Sequence, residues 1–326
     1  MKIAVFGAGA WGFTLANHLS KKGYEVNLWE FKKEQYTHIK RTGYPLHFPY
    51  IKIHKNISLT QNMKEAVKGA KIILLCVPAQ ATRQAAKNIA AYVTGNPIFV
   101  IVSKGIEIKS GKLLSAVVGE ELNTKRVVAL SGPSFAREVA EGLPTAVVAA
   151  GKAAHTVQVQ KIFSSQTLRV YTNTDLRGVE IGGAVKNVIA IACGISYGLG
   201  LGDNTSAAIV TRGLAEITRL GVKLGAKRST FPGLSGLGDI LMTSFSLKSR
   251  NRSFGELIGR GIPLREAIKK IGMTVEGVTT AAAVIRLAEK HKIDMPITSE
   301  IYKILFKNKR SASAISTLMN RHAKSE

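Results

Sequence analysis

Lys2-Ile3-Ala4-Val5-Phe6, followed at once by Gly7-Ala8-Gly9-Ala10-Trp11-Gly12, is the stretch whose reading decides the fold. The first five residues read as a buried strand, and a helical pattern runs from Gly12 to Lys22. GxGxxG between a strand and a helix is a dinucleotide fingerprint with a mechanism behind it. Gly7 permits the tight turn, Gly9 lets backbone approach a pyrophosphate, and Gly12 lets the helix pack close to the sheet. The helix N-terminus then offers its N–H groups and positive dipole end to phosphate. A second strand pattern, Glu25–Trp29, leads into Glu30, 18 residues beyond Gly12. An acid there accepts from ribose hydroxyls and opposes a 2′-phosphate, whereas Lys32 and Lys33 attract one. The lysines outnumber the acid, so the reading is NAD or NADP, with a slight lean to NADP or dual use.

Outward from this stretch, short β-branched runs alternate with helical patterns. Further strand candidates are Lys71–Val77, Ile98–Val102, Val127–Leu130 and Thr145–Ala149, and Gln80–Val93 is an amphipathic helix candidate. Ile72–Val77 is apolar on both alternating sets, as a strand covered on both faces must be. This predicts an α/β fold: an N-terminal Rossmann-type domain with a parallel sheet. From about Asp175 the composition turns to alanine, leucine, isoleucine and lysine at helical spacing, with glycine clusters at Gly198–Gly202 and Gly233–Gly238. No strand is expected after about Tyr171. The expectation is a dinucleotide-binding domain over 1–177 and an all-helical substrate-binding and catalytic domain over 178–326. Without a low-complexity linker, the two are expected to pack closely around a ligand cleft.

The chain has 326 residues, 45% of them hydrophobic, which excludes a disordered or collagen-like class. Lysine and arginine number 46 against 21 acids, a net charge of +25. The basic residues are scattered, which favours a solvated surface that attracts an anionic substrate over a nucleic-acid or lipid partner. Cys76 and Cys193 fit no metal spacing and point to a reducing compartment, and no structural metal is expected. Lys2 and the apolar stretch to Ala16 mimic a secretory signal, but the fingerprint glycines and the lack of a good cleavage site argue against one. No uncharged run reaches the roughly 20 apolar residues of a membrane span. The nearest, Val188–Gly202, is interrupted by glycines. The expectation is a cytoplasmic protein with no nucleic-acid partner and no stable membrane insertion. Lys303, Lys307, Lys309, Arg310, Arg321 and Lys324 read as a solvated helix face.

Candidate chemistry follows the strands. Lys104 comes just after the Ile98–Val102 pattern, and Gly132 and Ser134 follow the next one, where open sheets bind ligands. Lys186 is a lone lysine in Gly182-Gly-Ala-Val-Lys-Asn-Val188, among small and apolar residues. Either it lies on an exposed helix stripe or its burial lowers its pKa into the range of an acid/base catalyst. Asp239 sits on a glycine-flanked turn. Ser249, Arg250 and Asn251 form a dense donor set suited to phosphate.

Together these segments resemble the bacterial-type NAD(P)-dependent glycerol-3-phosphate dehydrogenases, from residue 2 to about residue 306. The resemblance is carried by Gly7–Gly12, Ser103-Lys-Gly105, Gly132-Pro-Ser-Phe-Ala-Arg-Glu-Val-Ala140, Gly183-Ala-Val-Lys-Asn187 and Gly202-Asp-Asn-Thr-Ser206. Thr211-Arg-Gly213, Gly233-Leu-Ser-Gly-Leu-Gly-Asp239, Ser249-Arg-Asn-Arg252 and Val275-Glu-Gly-Val278 continue it in the family's order. It implies reversible reduction of dihydroxyacetone phosphate to sn-glycerol 3-phosphate, with Lys186 as proton acceptor in oxidation. It implies that Lys104, Gly132, Ser134, Lys186, Asp239, Ser249, Arg250 and Asn251 meet the substrate. Gly7, Gly9, Ala10, Trp11, Gly12, Phe31, Lys32, Lys104, Ala136, Arg250 and Glu276 match positions around the cofactor. In the mechanism so implied, Lys104 and Asp239 join Lys186 as catalytic groups. Phe13 stands where a smaller or polar residue is common.

The small phosphorylated substrate and a homodimer are the partners the resemblance implies, and glycerophospholipid synthesis is the implied pathway. The rival reading is another two-domain reductase, of the 2-hydroxyacid or ketopantoate type. The phosphate-suited Ser249-Arg250-Asn251 segment argues against it. A non-catalytic binder of nucleic acid or anionic lipid has only the net charge to support it.

Overall fold

The computed structural model describes residues 1–322 in two compact units. The first holds Met1–Ser103 and Leu113–Leu176, the second Lys104–Lys112 and the chain from Arg177. The sequence reading drew one division, between 177 and 178. It did not foresee that nine residues leaving a strand of the first unit group with the second.

The strands of the first unit are β1 (Lys2–Phe6), β2 (Glu25–Trp29), β3 (Ile57–Thr60), β4 (Ala70–Leu75), β5 (Ile98–Ile101), β6 (Val127–Ser131), β7 (Thr145–Gly151) and β8 (Leu168–Asn173). They form one sheet in the order β3-β2-β1-β4-β5-β6-β7-β8. Its helices are α1 (Ala10–Lys21), α2 (Lys33–Thr42), α3 (Met63–Val67), α4 (Thr82–Ala90), α5 (Leu114–Glu121), α6 (Ala136–Ala140) and α7 (Ala153–Phe163). β1 is buried on both faces. Ile3 and Val5 join a cluster with Leu15, Leu28 and Val100, while Ala4 and Phe6 join one with Trp29, Ile73 and Phe99. That two-sided burial is why the strand reads as a continuous apolar run.

The sheet is not wholly parallel. β7 runs antiparallel to β6, while every other pair is parallel. Between β6 and β7 the only helix is the five-residue α6, too short for the usual parallel crossover. Two strands lie beyond the sequence reading. β3 and β8 are the two edges, where one-sided cover leaves a weak apolar signal. In β8, buried Leu168 and Val170 alternate with exposed Arg169 and Tyr171.

Among the described residues of the second unit every regular element is helical. They are α8 (Leu176–Gly198), α9 (Asp203–Lys223), α10 (Asp239–Phe245), α11 (Arg250–Gly259), α12 (Leu264–Ile271), α13 (Glu276–His291), α14 (Pro296–Phe306) and α15 (Ser311–Met319), with short 3-10 and π turns. α8 is the core, buried at every position from Gly178 to Ser196. It is long and apolar enough to cross a membrane, yet its most apolar window is entirely buried in protein. Gly194 and Gly198, read in the sequence as breaks in an apolar run, lie within this helix and admit neighbours. A Cβ on Gly194 would lie 2.1 Å from the Arg252 carbonyl oxygen, and one on Gly255 would lie 2.2 Å from that of Ile191. Gly198 and Gly259 repeat the pattern one turn on. α8 and α11 therefore cross with their backbones nearly touching, which seats the first turn of α11 beside Asn187.

The basic C-terminal residues are not simply a solvated face. Lys303 and Lys309 both pair with buried Glu300, at 2.8 and 2.5 Å, and Arg321 pairs with Asp294 at 2.8 Å. Lys324 lies outside the described residues.

Candidate active site

The first unit carries the fingerprint. Gly7 has φ +103°, and an added Cβ there would meet the Cys76 carbonyl at 2.9 Å. A Cβ on Gly12 would fall 1.9 Å from the Gly7 carbonyl oxygen. Gly9 has nothing within 4 Å of that position, leaving a cradle a side chain would fill. It is also the N-cap of α1, with no side-chain cap and no acid in the first turn. Donors of Ala10, Trp11 and Gly12, with a positive dipole end, thus suit a pyrophosphate. β1 lies between β2 and β4, where the order of strands reverses and such folds bind ligands. A dinucleotide fits these residues.

Glu30 is not simply poised toward a ribose. It is 6% exposed, and its two carboxylate oxygens accept from the backbone N–H of Ala8 at 2.8 Å and of Lys32 at 2.7 Å. Gln35 donates to the Ala8 carbonyl at 3.2 Å, so the Ala8 peptide is held from both sides. Phe31, Lys32 and Lys33 are exposed beyond β2, with the Phe31 ring 6.2 Å from that of Trp29. Phe13 is fully buried and packs edge-on against His47. Gly132 has φ +126°, Ser134 donates to its carbonyl at 3.0 Å, and the Ala136 carbonyl accepts from Thr14 of α1 at 3.1 Å.

The second unit carries a buried charge cluster. Asp239 is fully buried at the start of α10, just after the π turn over Leu234–Gly238. Its Oδ2 accepts from Lys104 Nζ at 2.6 Å, and its Oδ1 lies 2.9 Å from Lys186 Nζ. Lys186 is 5% exposed in the middle of α8, which excludes the exposed-stripe reading. It also donates to Thr243 Oγ1 at 2.6 Å, and Thr243 donates to Asp239 Oδ1 at 3.3 Å. Burial pushes the Lys186 ammonium down to about 8, against the opposing pull of Asp239 and with help from Lys104 and Arg250. Burial pushes the Asp239 carboxyl up, but its two lysines outweigh that and hold it below the usual carboxylate range.

The phosphate-suited segment forms the start of α11. Ser249 is its N-cap, its Oγ accepting from the Arg252 N–H. Asn251 is engaged at both ends: Nδ2 donates to Asn187 Oδ1 at 2.9 Å, and Oδ1 accepts from Gly277 N–H at 3.0 Å. Arg250 donates to the Thr274 carbonyl at 3.1 Å; desolvation lowers its pKa from the usual value, and Glu276 opposes that. Lys104, Lys186, Asp239, Ser249, Arg250, Asn251 and Glu276 thus all belong to the second unit, and Gly132, Ser134 and Ala136 to the first. Sequence reasoning missed Thr243. The signal was its place four residues after Asp239, one helical turn along the same face.

A dinucleotide fingerprint on a mostly parallel sheet, joined to a helical unit with a desolvated lysine–aspartate cluster, defines a two-domain dehydrogenase class. Residues 2–157 match the NAD-dependent glycerol-3-phosphate dehydrogenase N-terminus, and residues 175–316 match the C-terminus of the same family. The chain belongs to that family. It is 47% identical over its full length to the glycerol-3-phosphate dehydrogenase [NAD(P)+] of Thermoanaerobacter sp., covering 99% of that protein. It is 48% identical to the one from Moorella thermoacetica, over 98% of this chain and 96% of that one. The crystal structure of glycerol-3-phosphate dehydrogenase from Coxiella burnetii superposes with a TM-score of 0.95 at 37% identity, covering 98% of this chain and 99% of that one. The rival ketopantoate-type assignment gives way to this family.

Proposed function

We propose that this chain reversibly reduces dihydroxyacetone phosphate to sn-glycerol 3-phosphate with a reduced nicotinamide cofactor. The single observation that carries the chemistry is a buried Lys186 held between Asp239 and Thr243, with its pKa brought to about 8. When bound, the cofactor supplies the hydride. The phosphates would lie on Gly7, Gly9, Ala10, Trp11 and Gly12, with Phe31, Lys32, Lys104, Ala136, Arg250 and Glu276 completing the cofactor contacts. In reduction Lys186 gives a proton to the carbonyl oxygen. In oxidation it takes one from the hydroxyl. A neutral lysine amine has two N–H groups and one lone pair. With the N–H groups spent on Asp239 and Thr243, the lone pair is left to accept that proton. Asp239 holds Lys186 in place, and Lys104 polarises the oxygen that gains charge.

Arg250, Ser249 and Asn251 hold the phosphate, joined by Gly132 and Ser134 on the substrate. Anchoring that remote group positions a three-carbon substrate for transfer. Residues 1–177 serve chiefly the dinucleotide and 178–326 chiefly the substrate and catalysis, with Lys104, Gly132 and Ser134 reaching the substrate from the first stretch and Arg250 and Glu276 the cofactor from the second. Both cofactors are accepted, with a lean to NADP from Lys32. Lys32→Ala lowers the preference for NADPH over NADH about tenfold, on the order of one hydrogen bond to a charged group. Equal selectivity in that variant contradicts the lean. The protein works in the cytoplasm as a homodimer, and its product feeds glycerophospholipid synthesis. The test is loss of reduced-cofactor absorbance on adding dihydroxyacetone phosphate. No loss with either cofactor, in protein shown to bind one, contradicts the substrate.

A further inference from the structure

Arg252 and the Gly202-Asp-Asn-Thr-Ser206 segment have no part in the chemistry above, yet Tyr197 touches both. The Tyr197 hydroxyl, at the end of α8, donates to Asp203 Oδ1 in the first turn of α9 at 3.3 Å. The Arg252 guanidinium lies over the Tyr197 ring, 4.3 Å from its centroid. Arg252 is only 6% exposed. Its Nη1 reaches Glu256 Oε2 at 3.4 Å, Glu256 is shared with Arg260 at 2.6 Å, and the buried Nε has no partner. A buried guanidinium with half an acid is undercompensated, and the face of the tyrosine supplies the remaining attraction.

The position of this arginine gives it a task. Successive helical residues are about 100° apart, so Arg250 and Arg252 point to roughly opposite sides of α11. Arg250 faces out as Arg252 faces in. The Arg252 N–H bonds Ser249 Oγ at 3.3 Å, and its carbonyl rests against Gly194 of α8. Side chain and backbone together fasten the turn that presents Ser249, Arg250 and Asn251. We propose that Arg252, seated on the ring of Tyr197, is a positioning residue that fixes this turn for recognition of the substrate's phosphate. This rests on the phosphate assignment made above.

The experiment compares dihydroxyacetone phosphate with unphosphorylated dihydroxyacetone in the wild type and in Arg250→Ala, Arg252→Lys, Tyr197→Leu and Tyr197→Phe. Arg252→Lys and Tyr197→Leu should raise KM for the phosphorylated substrate about tenfold, because lysine lacks the planar stacking group and leucine the ring. Tyr197→Phe, which keeps the ring, should restore most of that loss. In Arg252→Lys and Tyr197→Leu, rates with dihydroxyacetone should stay within about twofold of wild type, since that substrate carries no phosphate for the turn to hold. Unchanged KM in both altered variants overturns the proposal. Equal losses on both substrates also overturn it, because they mark a merely structural role. An Arg250→Ala variant with normal KM for the phosphorylated substrate would instead remove the phosphate assignment itself.

Discussion

Lys186 is the residue on which the chemistry turns, and its surroundings set the pH at which it works. Below about 8 it is an ammonium, able to donate a proton in reduction. Above that it is a neutral amine, able to accept one, so oxidation should rise with pH through that region as reduction falls. Asp239 raises the lysine's pKa, so Asp239→Asn should move the inflection of the oxidation profile below 8 as well as slowing the reaction. A profile with an unmoved midpoint would remove Asp239 from that role. Lys186 was legible in the sequence because a lone charge in a run of small and apolar residues has few places to go. Thr243 was not, because its value depends on α10 beginning at Asp239, and the π turn before it leaves no pattern. Asn251 was read as a phosphate donor from its neighbours alone. Its bonds to Asn187 and Gly277 join residues far apart in the chain, which no local spacing records.

Helices and strands were legible in proportion to their burial. β1 and β4 are covered on both sides and declare themselves as apolar runs, whereas edge strands β3 and β8 do not. The direction of β7 depends on how short the β6–β7 connection is in space, not on the strand's own residues. The sequence marked Gly194 and Gly198 only as breaks in an apolar run, but they are where α11 comes close. Gly255→Ala should therefore destabilise the protein by about 1–3 kcal/mol, the cost of overpacking a tight contact. Thermal unfolding measures it, and an unchanged midpoint would mean the helices separate without penalty. Gly12→Ala places a Cβ 1.9 Å from the Gly7 carbonyl oxygen and should weaken both NADH and NADPH binding. Cofactor titration with unaltered affinity would contradict the packing role of Gly12.

For the molecule as a whole, the net charge of +25 is the property least tied to fold. It should speed capture of an anionic substrate, an effect screened as the Debye length shrinks to about 8 Å at physiological salt. Added salt should lower kcat/KM for dihydroxyacetone phosphate severalfold and leave that for dihydroxyacetone nearly unchanged. Equal responses would assign the charge to solubility alone. The grouping of Lys104–Lys112 with the second unit was hidden from the sequence, since it depends on contacts such as Lys104–Asp239 and Arg286 to the Ile108 carbonyl. It explains how a lysine leaving a strand of the dinucleotide unit reaches the same aspartate as Lys186. The most direct test of the account is kcat/KM for glycerol 3-phosphate oxidation as a function of pH, in the wild type beside Lys186→Ala. The account predicts a single inflection near 8 in the wild type and a rate about 10²–10⁴-fold lower in the variant, with cofactor affinity retained. A variant oxidising at near wild-type rate with the same inflection would show that the proton moves through another group.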